Sequence, residues 1–416
     1  MTKNIVIFGG SGNLAMLKLV YELFKLRNKD LNIILYGRSD LSKTYKQKLL
    51  EFHSDYTEDF LNQVSYVRGS YQDVSQLDNV CNADTILYFA TPTHVYNTLL
   101  ASTKLIKHKK IALEKPFGSN LKDFQKLKIT DKCVFIDHYL TKPLSLVFPY
   151  LRKQNDVFDK MIRNVFIESI DVVFTETLLA DGISNFDKNG TVKDVMQNHM
   201  IEMLAIVLSK GDETNGESLS KARSNVIKNL SIVPLSLVKG QYKNYAISDS
   251  KTETFAYFTL KFKDGEFKDI PCNFIAGKGL HKKESKVVLN INQAFAVEFM
   301  QIINLEVDIL PKKISVSYSF LKDEGISIDI EAVGGTTKRE IVSCSHIENM
   351  LERFFNGYSD YGYVFNNLVY NDNPALAMEY DVKAAWELFE PILNLDKELF
   401  FYEQNSKPSD ILDSTK

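Results

Sequence analysis

Groups able to carry a proton near neutral pH are scarce in this chain, which has seven histidines among 416 residues. His199 lies in a run from Val192 to Leu208 where Val192, Val195, Met196, Met203 and Ile206 recur at helical spacing, predicting a mostly apolar helix. Desolvation on that face would keep an imidazole neutral, which suits a general base, but a core histidine fits the same pattern, and the residues alone leave the choice open. A second cluster is Asp137-His138-Tyr139-Leu140-Thr141-Lys142. It offers two nitrogen donors and a phenol within five residues. On one helical turn His138 and Lys142 would point the same way, forming a compact patch for a phosphate dianion; the alternative is a set of polar surface groups at a strand end. Lys115, between Glu114 and Pro116, follows an apolar run at 110–113. That places it at the carboxyl edge of an expected parallel strand, where ligands of open α/β sheets collect.

The elements that must hold these groups are written in two grammars. From Asn4 to about Asp137, short apolar runs (Ile5–Phe8, Ile33–Tyr36, Thr85–Phe89, Lys110–Leu113, Cys133–Ile136) alternate with helical stretches, predicting a doubly wound parallel sheet. Directly after the first run comes Gly9-Gly10-Ser11-Gly12-Asn13-Leu14-Ala15, containing G-x-G-x-x-A and opening a helix. Glycines let the backbone approach a pyrophosphate, and the helix N-terminus supplies N–H donors, so this turn predicts a dinucleotide site. At the end of the second run stands Arg38, where an acidic residue would favour NAD. Arginine suits a 2′-phosphate, so NADP is expected over NAD, although Asp40 could reach a ribose.

Beyond Leu151, long alternating segments such as 165–172, 255–262 and 287–292 predict half-buried antiparallel strands. The expected fold is an α/β Rossmann dinucleotide-binding domain over 1–142 and an α+β domain with a large, mainly antiparallel sheet over 143–402. Helices are expected at Ile347–Phe355 and Ala375–Phe389, and a polar, mobile tail over 403–416.

Composition removes other classes. Fifty Lys+Arg against 53 Asp+Glu leave a net charge of −3, with no basic field for nucleic acid. The four cysteines, Cys81, Cys133, Cys272 and Cys344, have no paired spacing, so neither a disulfide framework nor a metal site is expected. No stretch approaches the ~18 apolar residues of a membrane span, and no signal peptide is visible at Met1, so no membrane partner and a cytoplasmic protein are expected.

Glu114-Lys115-Pro116-Phe117-Gly118, Asp137 to Lys142, Asp194-Val195-Met196-Gln197-Asn198-His199 and Asp381-Val382-Lys383-Ala384-Ala385-Trp386, in this order, resemble the glucose-6-phosphate dehydrogenase family. The resemblance runs from the first strand to the terminal helix, on a chain shorter than usual for that family. It implies NADP-dependent oxidation of glucose 6-phosphate at C1, with His199 as general base and Asp137 orienting it. It further implies that His138, Tyr139 and Lys142 hold the 6-phosphate and that Lys115 touches substrate and cofactor. Glu176 and Asp194 would bond sugar hydroxyls, Lys278 and Lys283 would add basic contacts, and Lys18 would lie near the cofactor phosphates. A homodimer is implied by the same analogy. Asp194 falls about 140° from His199 on an ideal helical wheel, which strains the idea of one shared pocket. Asn13, Met16, Leu17, Thr141 and Ile275 depart from the family's pattern, as does the segment from Leu178 to Ser184. These departures leave the proton-transfer groups in place and bear on the shape of the substrate site.

Overall fold

The fold is described from a computed structural model covering residues 3–27, 30–180, 186–212, 215–305, 310–321, 325–341, 359–370 and 376–415. The chain divides into two units, Met1–Thr141 with Gly357–Lys383, and Lys142–Asn356 with Ala384–Lys416.

The first unit is built on six parallel strands: β1 (Lys3–Phe8), β2 (Leu31–Gly37), β3 (Val64–Arg68), β4 (Ile86–Phe89), β5 (Lys110–Glu114) and β6 (Cys133–Ile136). Their spatial order is β3-β2-β1-β4-β5-β6, so the direction of winding reverses between β1 and β4. At that switch point the carboxyl ends of neighbouring strands diverge and leave room for a ligand. Ile5, Ile7, Ile33, Leu35 and Tyr88 face a core that also takes in Val364, Phe365 and Leu368 from the helix Asp360–Tyr370. The expected single cut at 142 is therefore corrected: residues 357–383 return to the first unit. After that helix, Phe135 of β6 donates its N–H to Ala377 O at 3.0 Å.

The second unit carries a ten-stranded sheet. Its strands are β7 (Ile167–Thr175), β8 (Leu230–Ile232), β9 (Val238–Tyr242), β10 (Phe255–Phe262), β11 (Pro271–Gly277), β12 (Glu284–Ile291), β13 (Pro311–Ser319), β14 (Ile326–Ala332), β15 (Thr337–Ile341) and β16 (Leu399–Tyr402). The order is β15-β14-β13-β12-β7-β11-β10-β9-β16, with β8 added on β10. Most pairings are antiparallel, as expected, but β11 runs parallel to β7 and β16 parallel to β9. The apolar helix predicted over 192–208 forms and lies against β7, β11 and β12.

The tail expected to be mobile is ordered instead. Pro408–Asp413 is a helix, and Ile411 is buried in a cluster with Tyr402, Tyr242, Phe255 and Leu280. Two neighbouring apolar side chains within a polar stretch, Ile411 and the partly buried Leu412, dock it. The helix expected at Ile347–Phe355 lies outside the described residues. Among the described residues, no helix is long and apolar enough to cross a membrane, and no cluster of ligating side chains could hold a metal ion.

Candidate functional site

In the first unit the glycine turn, Arg38, Lys115 and the segment from Asp137 to Tyr139 lie at the carboxyl ends of the strands, because each directly follows a strand in a sheet whose strands all run one way. Gly9 and Gly10 both donate their N–H to Tyr36 O at 3.0 Å, and Gly12 donates to Gly9 O at 2.8 Å, closing the turn after β1. Gly9 has φ +84°, and a Cβ there would stand 2.3 Å from Ala90 O, at the end of β4. Only glycine lets the turn press against the switch point in this way. Ser11 and Asn13 complete the turn. The Asn13 side chain makes no cap on the helix that starts at Leu14, where the Met16 N–H donates to Gly12 O at 3.0 Å.

Arg38 follows β2 with its guanidinium 5.4 Å from the centre of the Tyr71 ring. Asp40, the residue that would argue for NAD, pairs with Arg68 at 3.3 Å. Arg68 ends β3 and also donates to Arg38 O at 3.4 Å. The edge thus carries two guanidinium groups where a 2′-phosphate would lie in an NADP site, and the glycine cradle fits a pyrophosphate. Arg68 was not legible as a candidate, since its strand alternates polar and apolar residues like any edge strand. Lys18 is exposed, and its ammonium sits 4.4 Å from the centre of the Tyr361 ring rather than on the glycine turn.

Lys115 follows β5 and forms a cis peptide bond with Pro116. Beneath it, Glu114 is buried and accepts hydrogen bonds from Tyr88 and Tyr361. Burial pushes its carboxyl up to about 7, opposed by the two tyrosines, by Lys18 and by the Lys115 N–H. Sequence reasoning did not single out this buried acid; its signal was a carboxylate closing the apolar run 111–113.

Asp137 is buried immediately after β6, where its Oδ1 accepts the Tyr139 N–H at 2.8 Å. His138 Nδ1 lies 4.0 Å from Asp360, and Tyr139 is buried with its ring 5.0 Å from that of His138. The helical turn expected to align His138 with Lys142 does not form. Residues 138–141 make a tight turn, and Lys142 is extended (φ −67°, ψ 151°), with the helix starting only at Pro143. Proline at the first helical position fixes that start and biases the preceding residue to extended backbone.

In the second unit the parallel register of β7 and β11 brings Glu176 and Lys278 together. Thr175 opposes Gly277, and Glu176 N–H donates to Gly277 O at 2.9 Å. The Lys278 ammonium pairs with the Glu176 carboxylate, with the Phe186 ring 5.4 Å away. Lys283, just before β12, is exposed; β12 is antiparallel to β7 with Glu284 opposite Thr175, which brings the 283 backbone beside the same strand end.

His199 is buried, and its ring lies parallel to that of Phe174, with centroids 6.4 Å and planes 21° apart. Phe174 and Glu176 share a face by strand parity. The helix is locally wide over Val192–Met200: Ile201 N–H reaches back five residues to Met196 O. Winding of this kind advances about 85° per residue, so the backbone positions of Asp194 and His199 fall about 65° apart rather than 140°. The widened turn thus removes the strain that an ideal wheel imposes. The backbone N–H of His199 donates to Asn198 Oδ1 at 2.8 Å, while Asn198 Nδ2 bonds Lys193 O at 2.9 Å. The Glu176–Lys278 pair therefore stands at the same end of β7 and β11 as Phe174, against which the His199 ring lies. A buried cation, its carboxylate partner and an imidazole can hold a polyhydroxylated ligand and take a proton from it.

Residues 6–145 match the family model described as glucose-6-phosphate dehydrogenase, NAD binding domain, and residues 149–414 match that described as glucose-6-phosphate dehydrogenase, C-terminal domain. The chain is 28% identical over 421 residues to glucose-6-phosphate 1-dehydrogenase of Encephalitozoon cuniculi, covering 96% of this chain and 95% of that one. It is 24% identical over 454 residues to the cytoplasmic isoform of Solanum tuberosum, covering 94% and 86%. A solved glucose-6-phosphate dehydrogenase in complex with its substrate glucose-6-phosphate superposes with a TM-score of 0.83 at 21% identity, covering 99% of this chain and 97% of that chain.

Proposed function

Because the chain belongs to the glucose-6-phosphate dehydrogenase family, we propose that His199 is the general base for oxidation of D-glucose 6-phosphate at C1 to 6-phospho-D-glucono-1,5-lactone. The protein is an NADP-dependent oxidoreductase of carbohydrate metabolism, working at the first oxidative step of the pentose phosphate pathway. The observation that carries the residue assignment is the imidazole lying along Phe174, at the strand end that also bears the Glu176–Lys278 pair.

When bound, NADP supplies the hydride acceptor. Gly9, Gly10, Ser11, Gly12, Asn13 and Leu14 cradle its pyrophosphate, and Arg38, with Arg68 beside it, takes the 2′-phosphate. The chain's part in the chemistry is proton transfer and orientation. His199 accepts the proton of the C1 hydroxyl, and Asp137 is assigned as the carboxylate that stabilises the imidazolium. His138, Tyr139 and Lys142 are assigned to the 6-phosphate, Lys115 to substrate and cofactor, and Glu176, Asp194, Lys278 and Lys283 to the sugar.

The test follows reduced nicotinamide by absorbance with NADP or NAD and a panel of hexose 6-phosphates. Turnover of glucose 6-phosphate is expected, falling at least ~100-fold in kcat in His199→Asn with NADP affinity retained, since an amide cannot take the proton. Turnover of another hexose phosphate alone would move the substrate assignment, and full activity in His199→Asn would remove the base assignment. We also propose a cytoplasmic homodimer, supported by the cytoplasmic relative, by the free Cys81, Cys133 and Cys272, and by the family analogy. Light scattering after size exclusion checks the dimer.

A further inference from the structure

The helix bearing Asp194 and His199 is not held at its start by a capping side chain of its own; Thr191, its preceding residue, makes no side-chain cap. Its first N–H groups are met from elsewhere in the second unit. The Oε1 of Glu253 accepts the Val192 N–H at 3.1 Å, and Glu253 O accepts both the N–H and the hydroxyl of Thr191 at 3.1 Å. Glu253 is 8% exposed, so these bonds are made out of water, where an acceptor's position is strongly determined. The approach needs Gly190, which has φ +68°; a Cβ there would lie 2.4 Å from Glu253 Oε1.

The next residue holds the other half of the strand-end cluster. Thr254 O accepts the Lys278 N–H at 2.8 Å, and Thr254 Oγ1 shares a hydrogen bond with Tyr402 OH at 2.8 Å, which in turn donates to Lys278 O at 2.8 Å. Upstream, Ser250 Oγ donates to Asp187 Oδ1 and Thr252 Oγ1 to Asp187 O. Five consecutive residues thus reach both the histidine helix and the lysine turn.

We propose that Glu253 is a positioning residue: its side-chain oxygen sets the start of the Asp194–His199 helix relative to Lys278 and Glu176, and so aims the imidazole. The role belongs to the geometry of the acceptor, not to its charge. This inference rests on His199 being the base. It predicts an asymmetry between two conservative replacements in the full-length enzyme. Glu253→Gln keeps an oxygen at the same reach and should hold kcat within about threefold of wild type. Glu253→Asp keeps the charge but falls one methylene short of Val192 N, and should lower kcat by about 10- to 100-fold, the scale of an ångström's misplacement. In Glu253→Asp the Kd for NADP should stay within about twofold, since the glycine turn lies in the other unit.

Hydrogen–deuterium exchange supplies a readout independent of turnover: amides 191–200 should exchange faster in Glu253→Asp and as wild type in Glu253→Gln, with β1 unchanged in both. Aspartate as active and as protected as wild type would overturn the proposal, as would glutamine as impaired as aspartate. Exchange raised across the whole second unit would also overturn it, because that is loss of stability and not of aim. Wild-type turnover of glucose 6-phosphate reports separately on the proposed function, and the exchange pattern stands whichever sugar is used.

Discussion

Single residues carry the sharpest chemistry of the first unit. Arg38 stands over Tyr71 while Asp40 is engaged by Arg68, so the positive group is the one left facing the cofactor edge. Arg38→Ala should lower kcat/KM with NADP by at least ~10-fold and leave that with NAD nearly unchanged, because one charge-assisted contact to a phosphate is lost; steady-state kinetics with both cofactors read the ratio. Glu114 makes a different prediction. Burial raises its carboxyl from 4.5 to about 7, so the folded protein binds this proton more tightly than the unfolded chain does. Wild type should then lose stability as pH rises from about 4.5 through about 7, by up to the order of 3 kcal/mol. Glu114→Gln, which keeps an acceptor for Tyr88 and never ionises, should gain on wild type as pH rises through that window and match it near pH 4.5. Urea midpoints at pH 5 and pH 8 measure the difference.

At the scale of elements, legibility followed how locally each signal is encoded. The glycine turn, the strands beside it and the apolar helix around His199 are written in consecutive residues, and all were readable. β3, with the alternation Val64-Ser65-Tyr66-Val67-Arg68, passed unnoticed because an edge strand has no continuous apolar run, and Arg68 went with it. The pairing of Glu176 with Lys278 depends on β7 and β11 lying parallel across more than a hundred residues, which no local pattern records. The widened turn at 192–200 was equally invisible, since the apolar spacing suits either winding. The C-terminal helix Pro408–Asp413 was misread from its polarity. It secures Ile411, and the residues before it bond the lysine turn, with Asn405 N–H to Gly279 O at 2.6 Å and His281 N–H to Ser406 O at 3.2 Å. Ending the chain at Tyr402 should therefore lower the Tm by several degrees and raise the KM for the sugar phosphate, read by calorimetry and initial rates. A truly mobile tail would leave both unchanged.

Over the whole molecule, chain order and spatial order part company. The backbone leaves the first unit at 141, comes back to it at 357, and departs again at 383. The returning helix is no ornament on the nucleotide-binding sheet: Val364, Phe365 and Leu368 are fully buried in its core, and Tyr361 bonds Glu114 beneath Lys115. During vectorial synthesis, when a ribosome delivers residues at ~5–20 per second, the dinucleotide lobe must therefore wait for the last quarter of the message before its apolar flank is sealed. A nascent lobe emerging first is left greasy on that flank, which makes it a natural client for chaperones. A nonsense codon anywhere before 360 would then cost the cell the cofactor-binding half along with the sugar-binding one.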